Sequence, residues 1–328
     1  LDLDLTEHAV VGIWEAISNY RKFKGFFDQL LDLAFERKPE AIIFIDNPGF
    51  NLRFVRALRQ RAAGTDWRPR IIYYISPQLW AWHSSRVHQI ARDVDLLLSI
   101  FPFEKEWYAK RAPGFPVEFV GHPLCDRCPD LEFREPHELH DPPRLLLLPG
   151  SRAKEISRHL PTMAAAARKL SVEPMIVFPN ESLDAQARLI TPAVADWDLR
   201  IGGLHEALAE ADVAIASSGT VTLECAWFRV PTVVLYKTSW ITYLLGRLFV
   251  KIKHIAMPNV LAEREVFPEF IQRAATPQSL AREASRFLDD TSRRKTLRAD
   301  LNQIAQTLGQ KGAAPRAAKA VVRLLADA

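Results

Sequence analysis

Cysteine is scarce, with three residues in a chain of 328. That is too few for a secreted disulfide framework and points to a reducing compartment. Long apolar runs are missing as well. No window approaches the roughly 18 uninterrupted apolar residues that a membrane-spanning helix needs. The longest candidate, Trp240 to Val250, carries Arg247 inside it. Strong charge of either sign is also lacking. A net charge of +4 is too weak by itself to indicate nucleic-acid binding, yet it suits an anionic substrate or an anionic lipid surface. With 13 Gly, 25% charged and 48% hydrophobic residues, the composition excludes a collagenous or disordered chain. The chain opens at Leu1, as though in mid-domain, with neither an initiator Met nor the basic head and apolar run of a signal peptide. The expectation is that the natural start lies upstream.

What is present is alternation. Short Val/Ile/Leu-rich runs, expected as strands, are Ala41–Ile45, Ile71–Ile75, Leu96–Ile100, Leu145–Leu148, Met175–Phe178, Val213–Ala216 and Thr232–Tyr236. Each is apolar at successive positions, as strands buried between two helix layers should be. Between them, Ile156, Leu160, Met163, Ala164, Ala167 and Leu170 repeat at helical spacing, as do Phe23, Phe26, Phe27, Leu30 and Ala34. The class is α/β with parallel sheets. The length exceeds what one core usually fills, so two domains are expected. The stretch from Cys128 to Arg144 is rich in Pro and acid and poor in periodicity, and reads as a linker. This divides the chain into 1–140, 141–310 and a closing helix, 311–328.

Two segments carry the pattern of an anion site. Leu145-Leu-Leu-Leu-Pro-Gly-Ser-Arg152 is a buried strand that breaks at Pro-Gly and runs into a helix. Such a turn offers free backbone N–H groups and the positive end of the helix, and Arg152 adds a fork matched to phosphate oxygens. An ordinary strand–turn–helix with a solvated Arg explains the same letters. Asp212-Val-Ala-Ile-Ala-Ser-Ser-Gly-Thr220 repeats the scheme, with Ser217, Ser218, Gly219 and Thr220 where a diphosphate could rest. Glu224 follows Thr220 by four residues and shares its helix face. Because a capping-box carboxylate sits three residues on, capping does not account for it. It is placed to bind ribose hydroxyls, although a solvated Glu remains the rival. Both turns fall at carboxyl ends of parallel strands, where such sheets bind ligands.

In the first domain, Ala41–Ile45 runs into Asp46-Asn-Pro-Gly. An acid there could serve as a general base if burial raised its pKa, but spacing alone favours a turn-forming Asp. Cys125-x-x-Cys128 with His137-x-x-His140 has the residue types of a zinc site. The short Cys–His gap and the nearby prolines weigh against it, and no metal is expected. The strings Asp2–Asp4, Asp93–Asp95 and Asp196–Asp198 follow no well-formed strand and read as turn or helix-end charges. Two stretches interleave aromatics with base: Val10 to Lys24, with Trp14, Tyr20, Arg21 and Lys22, and Lys237 to Lys253, with Trp240 and Tyr243. Such stretches suit a membrane interface, but a core-facing helix with a basic outer side looks the same and is the commoner outcome.

Taken in order, Ile45-Asp-Asn-Pro-Gly-Phe-Asn51, Tyr74-Ile-Ser-Pro-Gln-Leu-Trp-Ala-Trp82, Phe101-Pro-Phe-Glu104 and Phe119-Val-Gly-His-Pro-Leu124 open a series. Leu148-Pro-Gly-Ser-Arg152, Ser218-Gly-Thr-Val-Thr-Leu-Glu224, Met257-Pro-Asn-Val-Leu-Ala262 and Pro268-Glu-Phe-Ile-Gln272 complete it. The series resembles the lipid-A-disaccharide synthases, inverting glycosyltransferases of family 19, from about Thr6 to Gln272. The resemblance implies the GT-B fold, two Rossmann-like domains with a cleft between them: an acceptor and lipid-side domain first, a UDP-sugar-binding domain second. It implies transfer of 2,3-diacylglucosamine from UDP to the 6-hydroxyl of 2,3-diacylglucosamine 1-phosphate (lipid X), in lipid A synthesis. It further implies no metal or other cofactor, work at the inner face of the cytoplasmic membrane as a peripheral protein, and a tendency to form homodimers.

By the same resemblance Asp46 matches the catalytic acid that accepts the hydroxyl proton. Ser151 and Arg152 match the donor-diphosphate loop, and Ser218, Gly219, Thr220 and Thr222 match the second phosphate and sugar turn. Glu224 matches the ribose holder and Asn259 a donor-side residue. Both substrates carry acyl chains, so bilayer contact by Trp14, Tyr20 and their basic neighbours becomes the preferred reading of that segment. Three departures stand out. The family's opening strand and Gly-Glu-x-Ser-Gly-Asp turn would precede Leu1, which leaves the first sheet an unpaired edge and a thinned core. Gly49 stands where a second acid often follows the Pro, and Glu263 replaces a usual Gly. Rival readings within the fold are a UDP-N-acetylglucosamine 2-epimerase or another GT-B transferase, whose soluble sugars leave the aromatic-basic segments without purpose. A non-catalytic relative that keeps only nucleotide binding is the third.

Overall fold

The computed structural model describes residues 20–129, 139–249 and 253–326. The first part runs α1 (Tyr20–Arg37), β1 (Ala41–Ile45), α2 (Pro48–Ala62), β2 (Arg70–Tyr74), α3 (Val87–Asp93), β3 (Leu96–Ser99), α4 (Pro102–Ala109), β4 (Val117–Phe119) and α5 (Leu124–Arg127). The second begins with β5 (Arg144–Leu148), α6 (Ala153–Ala167), β6 (Glu173–Phe178), α7 (Glu181–Ile190), β7 (Asp198–Ile201) and α8 (Leu204–Glu210). It continues with β8 (Val213–Ser217), α9 (Val221–Trp227), β9 (Thr232–Tyr236), α10 (Trp240–Phe249), α11 (Met257–Ala262) and β10 (Glu269–Ile271). Three helices close the chain: α12 (Pro277–Asp289), α13 (Thr291–Thr307) and α14 (Ala313–Ala326).

Two parallel sheets result. The first has the order β1-β2-β3-β4, the second β10-β9-β8-β5-β6-β7. In the second, the chain steps outward from β5 through β6 to β7, then returns to pair β8 with the other side of β5. The order therefore reverses between β5 and β8, and a crevice opens above their carboxyl ends. The central strands are buried on both faces: Leu145 to Leu147 and Val213 to Ala216 are closed to solvent, packed against Ile156, Leu160 and Met163 of α6. That helix buries the residues whose spacing announced it.

Strands with little apolar sequence went unanticipated. β4, β7 and β10 are three or four residues long and lie at sheet edges, where one side needs no hydrophobic cover. Asp198 thus opens a strand and pairs with Arg200, whereas Asp93 ends α3 and Asp95 accepts hydrogen bonds from Arg59 and the Ile71 N–H, each at 2.6 Å. The first of the three acidic strings lies outside the described residues. β1 also departs from expectation. Among the described residues it is an edge strand, Phe44 is its one buried residue, and Ile43 and Ile45 are exposed.

The carboxyl edges of the two sheets meet. Ile100 and Phe101, after β3, pack with Leu223 of α9, and Tyr74, Ile75, Met257 and Leu261 flank them. Beyond α13 the chain crosses back, and α14 covers the first sheet by setting Ala317 and Ala320 against Ile72, Leu96, Leu98 and Val120. The crossing is close. Gly121 and Gly309 both adopt positive φ, and a Cβ on Gly309 would come within 3.2 Å of the Gly121 backbone. Asp126 of α5 then accepts the N–H groups of Gly312, Ala313 and Ala314, capping α14 across the domain boundary.

Desolvation tends to raise the Asp126 pKa, but those three N–H donors outweigh it and hold the carboxyl below its usual value. A depressed acid contributes stability above its unfolded pKa, about 3.9, that is lost as pH falls through the folded value. Asp126→Ala is expected to cost about 1 kcal/mol at neutral pH. In thermal melts the gap between variant and wild type should close as the buffer is taken below the ordinary Asp range.

Candidate active site

Two loops border the crevice between β5 and β8. The first, Pro149 to Arg152, leaves β5 and enters α6. Gly150 has φ +122°, and Ser151 and Arg152 are exposed. The loop is fixed from behind by His159 of α6, which is fully buried. Burial lowers its pKa, so the ring is neutral. Nδ1 donates to the Pro149 carbonyl at 2.8 Å, and Nε2 accepts the Lys237 N–H at 3.0 Å. One imidazole thereby clips the β5 loop to the end of β9.

The second loop, Ser217 to Thr220, leaves β8. Gly219 and Thr220 are exposed. Ser218 and Thr222 are not free donors, because each hydroxyl already serves the backbone. Ser218 Oγ donates to the Ile255 carbonyl at 2.9 Å, and Thr222 Oγ1 to the Gly219 carbonyl at 2.8 Å. A phosphate offers only acceptors, so these two shape the turn rather than present it with protons. Asn259 is more fully engaged. It is wholly buried; its amide donates to the Phe267 carbonyl and Glu269 Oε1, and its oxygen accepts the Val266 and Phe267 N–H groups, all at 2.8 Å. No capacity is left for a ligand. Glu269 in turn accepts the Ile255 and Ala256 N–H groups, so the pair builds the wall on which Ser218 leans.

Glu224 is the exception among the buried groups. It is 5% exposed, and among the described residues its Oε2 has no hydrogen-bond partner. Burial raises its pKa, opposed by the charges of Arg127 and His205. A buried acceptor left unmatched costs about 1–3 kcal/mol, more for a charged group, which ligand hydroxyls would return.

In the first sheet, Asp46 stands at the carboxyl end of β1 and is exposed rather than buried. Asp46 and Asn47 both take left-handed φ, +48° and +42°. Such conformations cost about 1–3 kcal/mol each and persist only where neighbours over-determine them. Here the Asp46 carbonyl receives Tyr73 Oη at 2.5 Å and Asn51 Nδ2 at 2.7 Å, and its N–H bonds the Tyr74 carbonyl. Behind Tyr73 lies a polar seam that sequence reading did not find: Ser76 Oγ on Tyr108 Oη at 3.2 Å, and Glu104 receiving Trp80 Nε1 at 3.1 Å.

Other expectations resolve differently. Cys125 faces the Leu308 and Gly309 carbonyls, Cys128 lies 3.6 Å from His205, and His140 pairs with Asp212 at 3.0 Å. These three members of the zinc pattern have separate partners on separate elements, and His137 lies outside the described residues. Glu263 ends α11 with φ +54°, the left-handed position that the usual Gly fills without strain. Trp14 lies outside the described residues, as do the side chains of Tyr20, Arg21 and Lys22, while Lys24 is exposed. On α10, Trp240, Ile241 and Leu244 are exposed. No helix among the described residues is long and apolar enough to cross a membrane.

Comparison with known proteins agrees with this geometry. The family profile described as Lipid-A-disaccharide synthetase matches residues 3–322. A lipid-A-disaccharide synthase of Myxococcus xanthus is 36% identical over 338 residues, spanning 98% of this chain and 85% of its own. One from Nitrosococcus oceani is 37% identical over 320 residues, spanning 93% and 80%. Among solved structures, S. aureus MnaA with UDP aligns with a TM-score of 0.63 at 13% identity over 93% of this chain and 81% of its own. The calicheamicin glycosyltransferase CalG4 aligns at 0.56 and 15% identity over 98% and 83%. At such identities the structures speak for the fold alone, which is GT-B.

Glu104 supplies a test of the seam behind Asp46. Burial pushes its carboxyl up to about 7 against the pull of Trp80 and Phe101. From about pH 4.3 to about 7 the folded chain keeps a proton that the unfolded chain has lost, so stability falls as pH rises through that window and levels above it. Glu104→Gln removes this dependence. In urea titrations its stability relative to wild type should improve by about 3 kcal/mol between about pH 4 and about pH 8.

Proposed function

The chain belongs to the lipid-A-disaccharide synthase family, and on that premise we propose how its two lobes divide the work. It is a glycosyltransferase of lipid A biosynthesis. UDP-2,3-diacylglucosamine and lipid X give the β-1,6-linked disaccharide 1-phosphate and UDP. The epimerase reading is not favoured, since the family profile and the relatives at 36–37% identity are lipid-A-disaccharide synthases.

The donor rests over the switch point between β5 and β8. The observation that carries this is Glu224, a buried carboxylate with an unmatched oxygen one turn beyond the Ser218–Thr220 loop. Ribose hydroxyls supply the donors it lacks. The diphosphate then lies along Gly219 and Thr220 toward Ser151 and Arg152. Ser218, Thr222 and Asn259 hold that surface in shape from beneath.

Asp46 faces the acceptor. As the 6-hydroxyl oxygen of lipid X attacks the anomeric carbon, its proton passes to the Asp46 carboxylate. The bond from that carbon to the β-phosphate oxygen breaks on the opposite side, inverting the centre, and the electron pair leaves with UDP. Arg152 and the start of α6 meet the growing negative charge. These fixed positive groups suit a reaction that needs no metal.

Both substrates carry acyl chains, so the enzyme works at a lipid surface, which we place at the inner face of the cytoplasmic membrane. Trp14, Tyr20 and their basic neighbours make one contact. The exposed face of α10, with Lys237 and Lys253 nearby and no acidic residue between them, makes a second. A homodimer is compatible with this arrangement.

The direct test supplies UDP-diacylglucosamine and lipid X and follows UDP release. Asp46→Asn is expected to lower kcat about 10²- to 10⁴-fold with UDP affinity unchanged; a variant that keeps most of the rate removes Asp46 from the role of base. Glu224→Gln should weaken UDP binding about 10- to 100-fold while sparing pyrophosphate. Serine at Trp240, Ile241 and Leu244 together should reduce co-sedimentation with anionic liposomes, and undiminished binding rejects the α10 contact.

A further inference from the structure

Glu155 sits on the diphosphate loop and has no part in the scheme above. Its carboxylate reaches back from the first turn of α6. Oε2 accepts the Ser151 N–H at 3.0 Å, and Oε1 accepts from Arg152 Nη1 at 2.9 Å. Gly150 admits it: a Cβ there would lie 2.5 Å from Oε2 and 2.7 Å from the Glu155 Cβ. The Glu155 side chain is 22% exposed, against 55% for Arg152. A carboxylate, nested against the loop, thus occupies both groups that this loop extends toward an anion.

Helix capping does not describe the contact. A capping-box glutamate returns to the N–H of the cap residue, here Arg152. Glu155 takes the N–H one residue earlier and adds the guanidinium, which is how a phosphate oxygen pair would sit. On the donor-site reading given above, we infer that Glu155 is an intramolecular stand-in for the donor diphosphate. It holds Ser151 and Arg152 while the site is without donor, yields to the incoming diphosphate, and closes again on Arg152 as UDP departs. Two anions on one guanidinium repel, so the measured donor affinity is net of this displacement. The same competition hastens release of the product.

The experiment measures binding of UDP to the full chain by titration calorimetry, with UDP product inhibition alongside. Glu155→Gln keeps the shape and the acceptor for the Ser151 N–H but loses the charge, and is expected to tighten UDP by about tenfold, with the inhibition constant falling in step. Equal or weaker UDP binding overturns the inference, because a carboxylate that only shapes the loop gives that result. If Glu155→Gln does not fold, Glu155→Asp, too short to bridge both partners, serves instead. Tighter UDP supports the stand-in, and unchanged or weaker UDP overturns it. Arg152→Ala separates this from its premise. If that variant binds UDP as well as wild type, the donor-site reading itself fails and the inference with it. If it binds weakly and Glu155→Gln shows no gain, the stand-in alone fails.

Discussion

Because β5 is hydrogen-bonded to β6 on one side and to β8 on the other, the chain runs from β5 toward β6 but from β8 toward β9, and neither connecting helix can close the space between the two strand ends. Everything chemical in the second lobe follows from that opening. It sets the loop that starts α6 beside the loop that starts α9, so a ligand with two phosphates and a sugar can touch both. It also brings a carboxylate on α9 within one turn of the same gap. Had β8 been added outside β7, the two loops would stand three strands apart and no diphosphate could bridge them.

The site is built in two layers with different duties. Beneath lie side chains whose hydrogen bonds are spent on the protein: His159, Ser218, Thr222, Asn259 and Glu269. They fix the course of the backbone and leave nothing over. Above lie Gly219, Thr220 and Glu224, which keep unspent surface or charge, and Arg152, whose charge Glu155 holds. A similar division holds in the first lobe, where Tyr73 and Asn51 tether the carbonyl of Asp46 while its carboxylate stays exposed. Preorganisation of this kind spares the reaction the cost of arranging dipoles at the moment charge moves.

How far this could be read beforehand depended on which force placed each residue. Burial writes itself into sequence, so six of the apolar strands and the stripe of α6 were legible, and with them the positions of both loops, while β1 was legible from its apolar letters although it is mostly uncovered. Edge strands carry a weaker signature. Asp198–Ile201 and Glu269–Ile271 form through backbone pairing with a neighbour that no local pattern announces. For the site, residue order sufficed to nominate Asp46, Arg152 and Glu224, but not to tell a presented group from a buried brace. Ser218 and Asn259 look equally fit for either, and only the hydrogen bonds decide. Glu155 stands three residues after Arg152, an ordinary capping distance, and His159 is one histidine inside an amphipathic helix, so neither has a distinguishing signal in sequence.

The crossing of α14 onto the first sheet binds residues beyond 312 to strands β2 and β3, more than two hundred residues earlier. Chains are synthesised from the amino end and lobes tend to fold as they emerge. Here the first lobe cannot finish on that schedule. Its Ile72, Leu96 and Leu98 face waits uncovered until residues beyond 312 have left the ribosome, with the whole second lobe made in between. Synthesis of α14 is therefore also the event that seals the first sheet, and a nascent chain stalled before that helix leaves an adhesive face for a chaperone to shield.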